Sequence, residues 1–190
     1  MFGCSDQKEH NQMLETLAMK DKQRMADPGK LADEKLELAL EATLPPDPEK
    51  GFFFPAYKFN MQRGEDRVKV GETGLKLGTP PQHLGHIWFR VFPDHRGNHF
   101  AARACRLLIP LASRIGIDPL WITCREENIA SRRTCELVGA KFVGTVETPE
   151  GYRDWLGPVR CKCRYRLDTS VSKGKANKPV KVTPTGAPHF

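Results

Sequence analysis

The 190-residue sequence predicts an α+β layered domain. Its centre is a mixed, mostly antiparallel sheet of six to seven strands flanked by helices. Three observations predict it. Runs with strand-like period two fill the chain up to Val91, a single-faced helical pattern follows from Phe100, and short apolar and helical segments then alternate. The length suffices for one domain with a sizeable core and some terminal excess.

Residues 1–30 read as a polar N-terminal extension, with a short helical pattern at Met13, Leu14 and Leu17 that ends at Asp27-Pro28-Gly29. The domain proper spans 31–168. In "EKLELALE" the residues Leu36, Leu38 and Leu40 share one face, and Pro45-Pro46 follows, which favours a strand. "FFFPAYKFNM" and "RVKVGETGLKL" are two more extended runs around a hairpin-like turn, Arg63-Gly64-Glu65-Asp66. "GHIWFRV" is a fourth, stopping before Pro93.

From there Phe100, Ala104, Leu107, Leu108, Leu111 and Ile115 mark one helical face. Pro110 lies inside the pattern and predicts a kink or weakened turn, and Gly116 marks the exit. "LWITC" has the length and composition of a buried strand. Asn128 is an N-cap for a second helix running to about Leu137, with Gly139 just past its end. "KFVGTVE" and "RCKCRYRL" close the sheet across an irregular loop around Tyr152-Arg153-Asp154-Trp155. Trp88 and Trp121 are expected in the core.

Composition is that of an ordinary globular chain. No apolar run approaches the ~20 residues needed to span a bilayer. No basic-then-apolar signal opens the chain, so a cytoplasmic protein without membrane contact is expected. The six cysteines read as reduced thiols, and no metal site is expected. Cys161 and Cys163 fit two same-face positions of a strand. The net charge is +7, of which Lys173, Lys175, Lys178 and Lys181 in the tail 169–190 supply +4. The remaining +3 does not argue for nucleic acid, and the tail reads as a solvated, disordered extension.

The stretch "FPDHRGNHFAARACRLL" carries chemistry. A helix start leaves backbone N–H groups unpaired under a positive dipole end, which suits phosphate. Arg96 adds a charged fork of donors, Gly97 removes an obstructing side chain, and Ala101 is nearly as permissive.

Set beside "NIASRRTCELVGAKF", this stretch resembles the GNAT N-acetyltransferase superfamily over roughly residues 34–167, closest in motif style to the branch that modifies ribosomal proteins and antibiotics. The resemblance implies the acyl-CoA N-acyltransferase fold and acetyl-CoA as co-substrate. It also implies transfer to a primary amine, on a small molecule or on a protein N-terminus or lysine, with a homodimer among the open arrangements. By the same resemblance the pyrophosphate would sit on Arg96, Gly97, Asn98, His99, Phe100 and Ala101, with His99 where the family places its first glycine. The pantetheine arm would lie against the backbone of Phe89, Arg90 and Val91 and touch Asn128.

The family's tyrosine acid has Cys135 in its place; the branch that modifies ribosomal proteins and antibiotics carries Asn-x-x-Ser and uses the serine, so the resemblance makes Ser131 the first candidate to protonate the departing thiolate, with Tyr152 the second. For the base, His86 competes with a water chain to Glu126; an imidazole with an ordinary pKa of ~6.5 suits proton removal near neutrality. Two rival readings stay open: a degenerate CoA-binding sensor, and a ribosome- or nucleic-acid-associated binder using the basic tail. The acceptor side is expected from Pro45–Phe54 and Thr148–Val159.

Overall fold

A computed structural model describes residues 27–46, 54–154 and 157–169. The expected N-terminal helix and nearly all of the basic tail lie outside them. So do the acceptor-side residues 47–53 and Trp155.

Ten strands form. They are β1 Leu31–Ala32, β2 Leu36–Leu44, β3 Ala56–Arg63, β4 Lys69–Lys76, β5 Ile87–Val91, β6 Leu120–Arg125, β7 Lys141–Glu147, β8 Arg153–Asp154, β9 Gly157–Pro158 and β10 Cys161–Leu167. The helices are α1, Phe100–Arg114, and α2, Ile129–Leu137. Eight strands make one sheet in the order β1-β2-β3-β4-β5-β6-β10-β7, and β8 pairs with β9 in the loop before β10. Only β5 and β6 run parallel. The sheet is thus mixed and mostly antiparallel, with one strand more than the sequence predicts. The extra strand, β1, is two residues long and offers no alternation to read.

β10 enters between β6 and β7, pairing antiparallel with both. The crossover β5-α1-β6 then lays α1 on one face of the sheet. Phe100, Ala104, Leu108 and Leu111 of α1 join Leu36, Leu38, Phe59, Met61, Leu75, Ile87 and Ile122 of the sheet in one buried cluster, which Cys135 of α2 completes. Each fully buried aliphatic or aromatic side chain of this kind contributes about 1.5–3 kcal/mol. Arg103 of α1 ties the β1–β2 turn down through Asp33 and Glu34, at 2.9 and 2.8 Å.

α1 runs from Phe100 to Arg114 with Pro110 on its exposed side. Two expectations shift. Leu36 and Leu38 are buried but Leu40 is 45% exposed, because a bulge between Leu40 and Ala42 interrupts the alternation. Trp88 and Trp121 are half-buried on the opposite sheet face rather than in the core. Gly74 leaves room for the Trp88 indole: a Cβ there would stand 2.4 Å from its Nε1. The Arg164 guanidinium covers the Trp121 ring at 3.8 Å. Among the described residues no helix covers this outer face.

Candidate active site

The turn leaving β5 is built for close approach. Pro93–His95 makes one 3-10 turn, closed by Arg96 N–H donating to the Pro93 carbonyl at 3.2 Å. Gly97 then takes φ 83°, and a Cβ on it would meet nothing within 4 Å. His99, at φ 57°, sits in the left-handed region as the N-cap of α1 without a capping side-chain bond. A non-glycine residue there stores strain. Arg96, Gly97, Asn98 and His99 are all exposed, and Phe100 plugs into the core beneath them. The Asn98 amide folds back onto the carbonyls of His95 and Arg96. The first-turn N–H groups of α1 therefore face solvent beside the exposed Arg96, whose Nε donates to the Val91 carbonyl at 3.4 Å, and that turn holds no acidic residue. An anion fits here.

Beside this turn the sheet parts. β5 and β6 register only at Ile87 and Ile122. From there Phe89–Val91 and Cys124–Arg125 diverge, leaving edges along which an extended chain can lie. Gly85 sits at the closed end, where a Cβ would come 2.8 Å from the Thr123 nitrogen. At the open end Asn128 caps α2, its Oδ1 accepting from Ser131 N–H at 3.0 Å. Ser131 is half-buried in the first helical turn.

His86 is 3% exposed and has both ring nitrogens engaged. Nδ1 accepts from Trp121 N–H at 2.9 Å, so Nε2 carries the proton and donates to the Gly78 carbonyl at 3.0 Å. Burial lowers its pKa, and the Lys76 and Arg164 charges push the same way against the Gly78 bond. The ring pins the loop before β5 onto β6. His86 N–H adds a bond to the Trp121 carbonyl at 2.7 Å.

Tyr152 lies between two surroundings. On one side a cavity of about 1000 Å³ runs along Arg125, Glu126, Glu127, Glu147 and the residues 148–152. One oxygen of Glu126 accepts from the Thr145 hydroxyl at 3.0 Å. On the other side the Lys162 ammonium donates to the Tyr152 phenol at 3.1 Å, and the His83 ring packs edge-on at 5.0 Å. Lysine has no acceptor, so the phenol keeps its own hydrogen free to give.

Where the family resemblance calls for a tyrosine, Cys135 hydrogen-bonds the Cys124 thiol. That bond raises the pKa of Cys135 and lowers that of Cys124. Burial pushes Cys105 up to about 12. The five described cysteines are free. Cys161 and Cys163 occupy same-face positions of β10, and Cys163 pairs directly with Cys124. Among the described residues no cluster of three or more His, Cys, Asp or Glu could hold a metal ion.

Sequence reasoning missed Lys76, Lys162 and Arg164, and placed His83 only as flanking a strand start. The only signal was a charged residue at alternate positions of strands with buried neighbours.

The fold has relatives of known structure. One is a Vibrio cholerae protein assigned as a ribosomal-protein-serine acetyltransferase, 15% identical, with a TM-score of 0.56 over 75% of this chain and 99% of that one. A second is RimL, a ribosomal L7/L12 α-N-protein acetyltransferase, 16% identical, with a TM-score of 0.55 over 74% and 98%. RimL in complex with coenzyme A superposes as well, at 15% identity and a TM-score of 0.55 over 73% and 97%. No curated protein matches by sequence. No helix among the described residues is long and apolar enough to cross a membrane.

The family described as acetyltransferase (GNAT) domain matches residues 7–141, which take in the phosphate-type turn, the parted strands and the capped second helix. With that match over most of its length, the chain belongs to the GNAT acetyltransferases and has acetyl-CoA as its co-substrate.

Proposed function

We propose that this acetyltransferase is an N-acetyltransferase that delivers the acetyl group directly to a primary amine, on a small molecule or on a protein N-terminus or lysine. The observation that carries the reading is the adjacency of two features: open main-chain donors from Gly97 to Ala101 beside the Arg96 guanidinium, and the opening between β5 and β6 that begins beside them. Arg96, Gly97, Asn98, His99, Phe100 and Ala101 hold the pyrophosphate, mainly through main-chain N–H groups. The backbone of Phe89, Arg90 and Val91 lines the arm, with Asn128 at its side. Acetyl-CoA supplies an activated thioester when bound.

The chain's own residues then manage two protons. Ser131 gives one to the departing thiolate, with Tyr152 the alternative donor. The acceptor amine loses its proton through water to Glu126, which has one carboxylate oxygen not engaged by Thr145. His86 serves differently from the sequence expectation. Its only basic lone pair is committed to Trp121, so it positions β5 against β6 rather than taking a proton.

Titration calorimetry with acetyl-CoA, paired with release of free CoA thiol across an amine panel, tests the reading. Saturable binding with amine-dependent thiol release is expected. Binding without turnover on any amine would favour the sensor reading, and no binding would end both. Arg96→Ala should weaken acetyl-CoA by about 1–3 kcal/mol, the scale of a charge-assisted hydrogen bond. Unchanged affinity would remove Arg96 from the cofactor site.

A further inference from the structure

The outer sheet face next to Tyr152 collects cations that no carboxylate among the described residues neutralises. Lys162 of β10 is only 7% exposed, and among the described residues its ammonium contacts the Tyr152 phenol and ring alone. Arg164, two residues on and therefore on the same face, keeps a buried Nε without an acceptor. Lys76, at the end of β4, is half-buried. Its backbone N–H donates to the His86 carbonyl at 2.8 Å, but its ammonium forms no hydrogen bond or ion pair among the described residues. It lies close enough for the Lys162 charge to act on it. His83 feels both lysines.

Buried cations are normally paired, since taking an ammonium out of water costs several kcal/mol that only an opposite charge offsets. Elsewhere among the described residues, half-buried cations do find carboxylates: Lys58 meets Glu41, and Arg103 meets Asp33 and Glu34. The exceptions gather at one place, and that place borders the parted strands. Thr123 of β6 reaches from there to the His83 carbonyl, and Arg164 lies across from Thr123 in register.

We propose that Lys76, Lys162 and Arg164 form an anion-binding site for the acceptor, whose amine is therefore accompanied by a nearby carboxylate or phosphate. The site rests on the transferase reading above and names its substrate class. Lysine ammonium groups take either anion as point charges, while the arginine fork adds direction. Trp121 under Arg164 and Trp88 on the same face give the rest of the acceptor an apolar wall. The Glu126 cavity, which Tyr152 also lines, would receive the amine end. An acceptor bearing both charges satisfies both surroundings.

The test has a binding arm and a turnover arm. In the first, the CoA-saturated protein is titrated with inorganic phosphate at constant ionic strength, and thermal stability is read. CoA blocks the pyrophosphate turn, so a saturable rise in melting temperature reports another site. Lys162→Met keeps the aliphatic stem and should lose the rise; Lys76→Met, on a different strand, serves if the first variant folds poorly. In the second arm, O-phosphoethanolamine is compared with ethanolamine, and glycine with glycinamide. The anionic member of at least one pair should have the higher kcat/KM. The pair that responds tells phosphate from carboxylate, and Lys162→Met should reduce the advantage by about tenfold or more. No rise in the wild type, an equal rise in both variants, or a preference for the neutral amines would overturn the site. Loss of acetyl-CoA binding would instead sink the transferase reading, which the calorimetry above reads separately.

Discussion

Asn128 holds the start of α2 with a single oxygen, and the same amide borders the parted strands. Two roles can be separated at this residue. Asn128→Ala should cost about 1 kcal/mol of stability in urea unfolding, whereas Asn128→Ser keeps a capping oxygen and should cost little. If acetyl-CoA affinity falls in the serine variant while stability does not, the amide also contacts the arm; equal affinity in both proteins would reduce Asn128 to a cap. Three residues on, Ser131→Ala should lower turnover and leave cofactor binding intact. Wild-type turnover in that variant would pass the proton to Tyr152, and Tyr152→Phe would then show the deficit.

At the scale of elements, the closed end of the β5–β6 opening is set by Gly85 and His86. A methyl at Gly85 would meet backbone on β6, with the Thr123 nitrogen at 2.8 Å and the Ile122 Cα and Trp121 oxygen both at 3.0 Å. Neither strand can yield without breaking the His86–Trp121 bonds. Gly85→Ala should therefore destabilise the protein by about 1–3 kcal/mol. It should also weaken acetyl-CoA binding in calorimetry, because the divergence starts from this hinge. An unchanged melting temperature would show that the strands shift freely.

What the sequence disclosed follows from the same geometry. "RGNHFA" was legible because turn, donors and helix start are neighbours along the chain. "KFVGTVE" and the Asn128 cap were legible for the same reason. The ring bonds of His86 were not legible, because its partners, Gly78 and Trp121, come from a loop and another strand. Lys76 and Lys162 were invisible as a pair, since only the sheet order brings β4 and β10 near one opening. The bulge after Leu40 is a pairing property that no one-strand pattern contains.

At the scale of the molecule, charge is sorted by face. The helix side is apolar, and the outer side carries the desolvated cations. Burial, reinforced by Lys162, brings the Lys76 pKa down to about 8, against 10.5 for an ordinary lysine. Between those values the unfolded chain holds a proton that the folded chain has released. This residue therefore makes stability rise as pH climbs from about 8 to 10.5, and contributes no slope below about 8. Urea midpoints of the wild type and Lys76→Met across this window should diverge, the variant lacking that share of the rise. Parallel curves would show that Lys76 is solvated in the folded protein.

Of the described strands β10 is the last to be synthesised, yet it sits inside the sheet between β6 and β7. Until Leu167 has emerged, β6 has a bare edge and β7 has no neighbour at all. A ribosome-bound chain ending before residue 161 can assemble β1 through β6 and α1, but the wall of the acceptor side that carries Lys162 and Arg164 does not yet exist. Maturation of the catalytic cleft is thus deferred to the final moments of translation. A stop codon anywhere in the last strand removes an interior stave of the sheet, not a dispensable end.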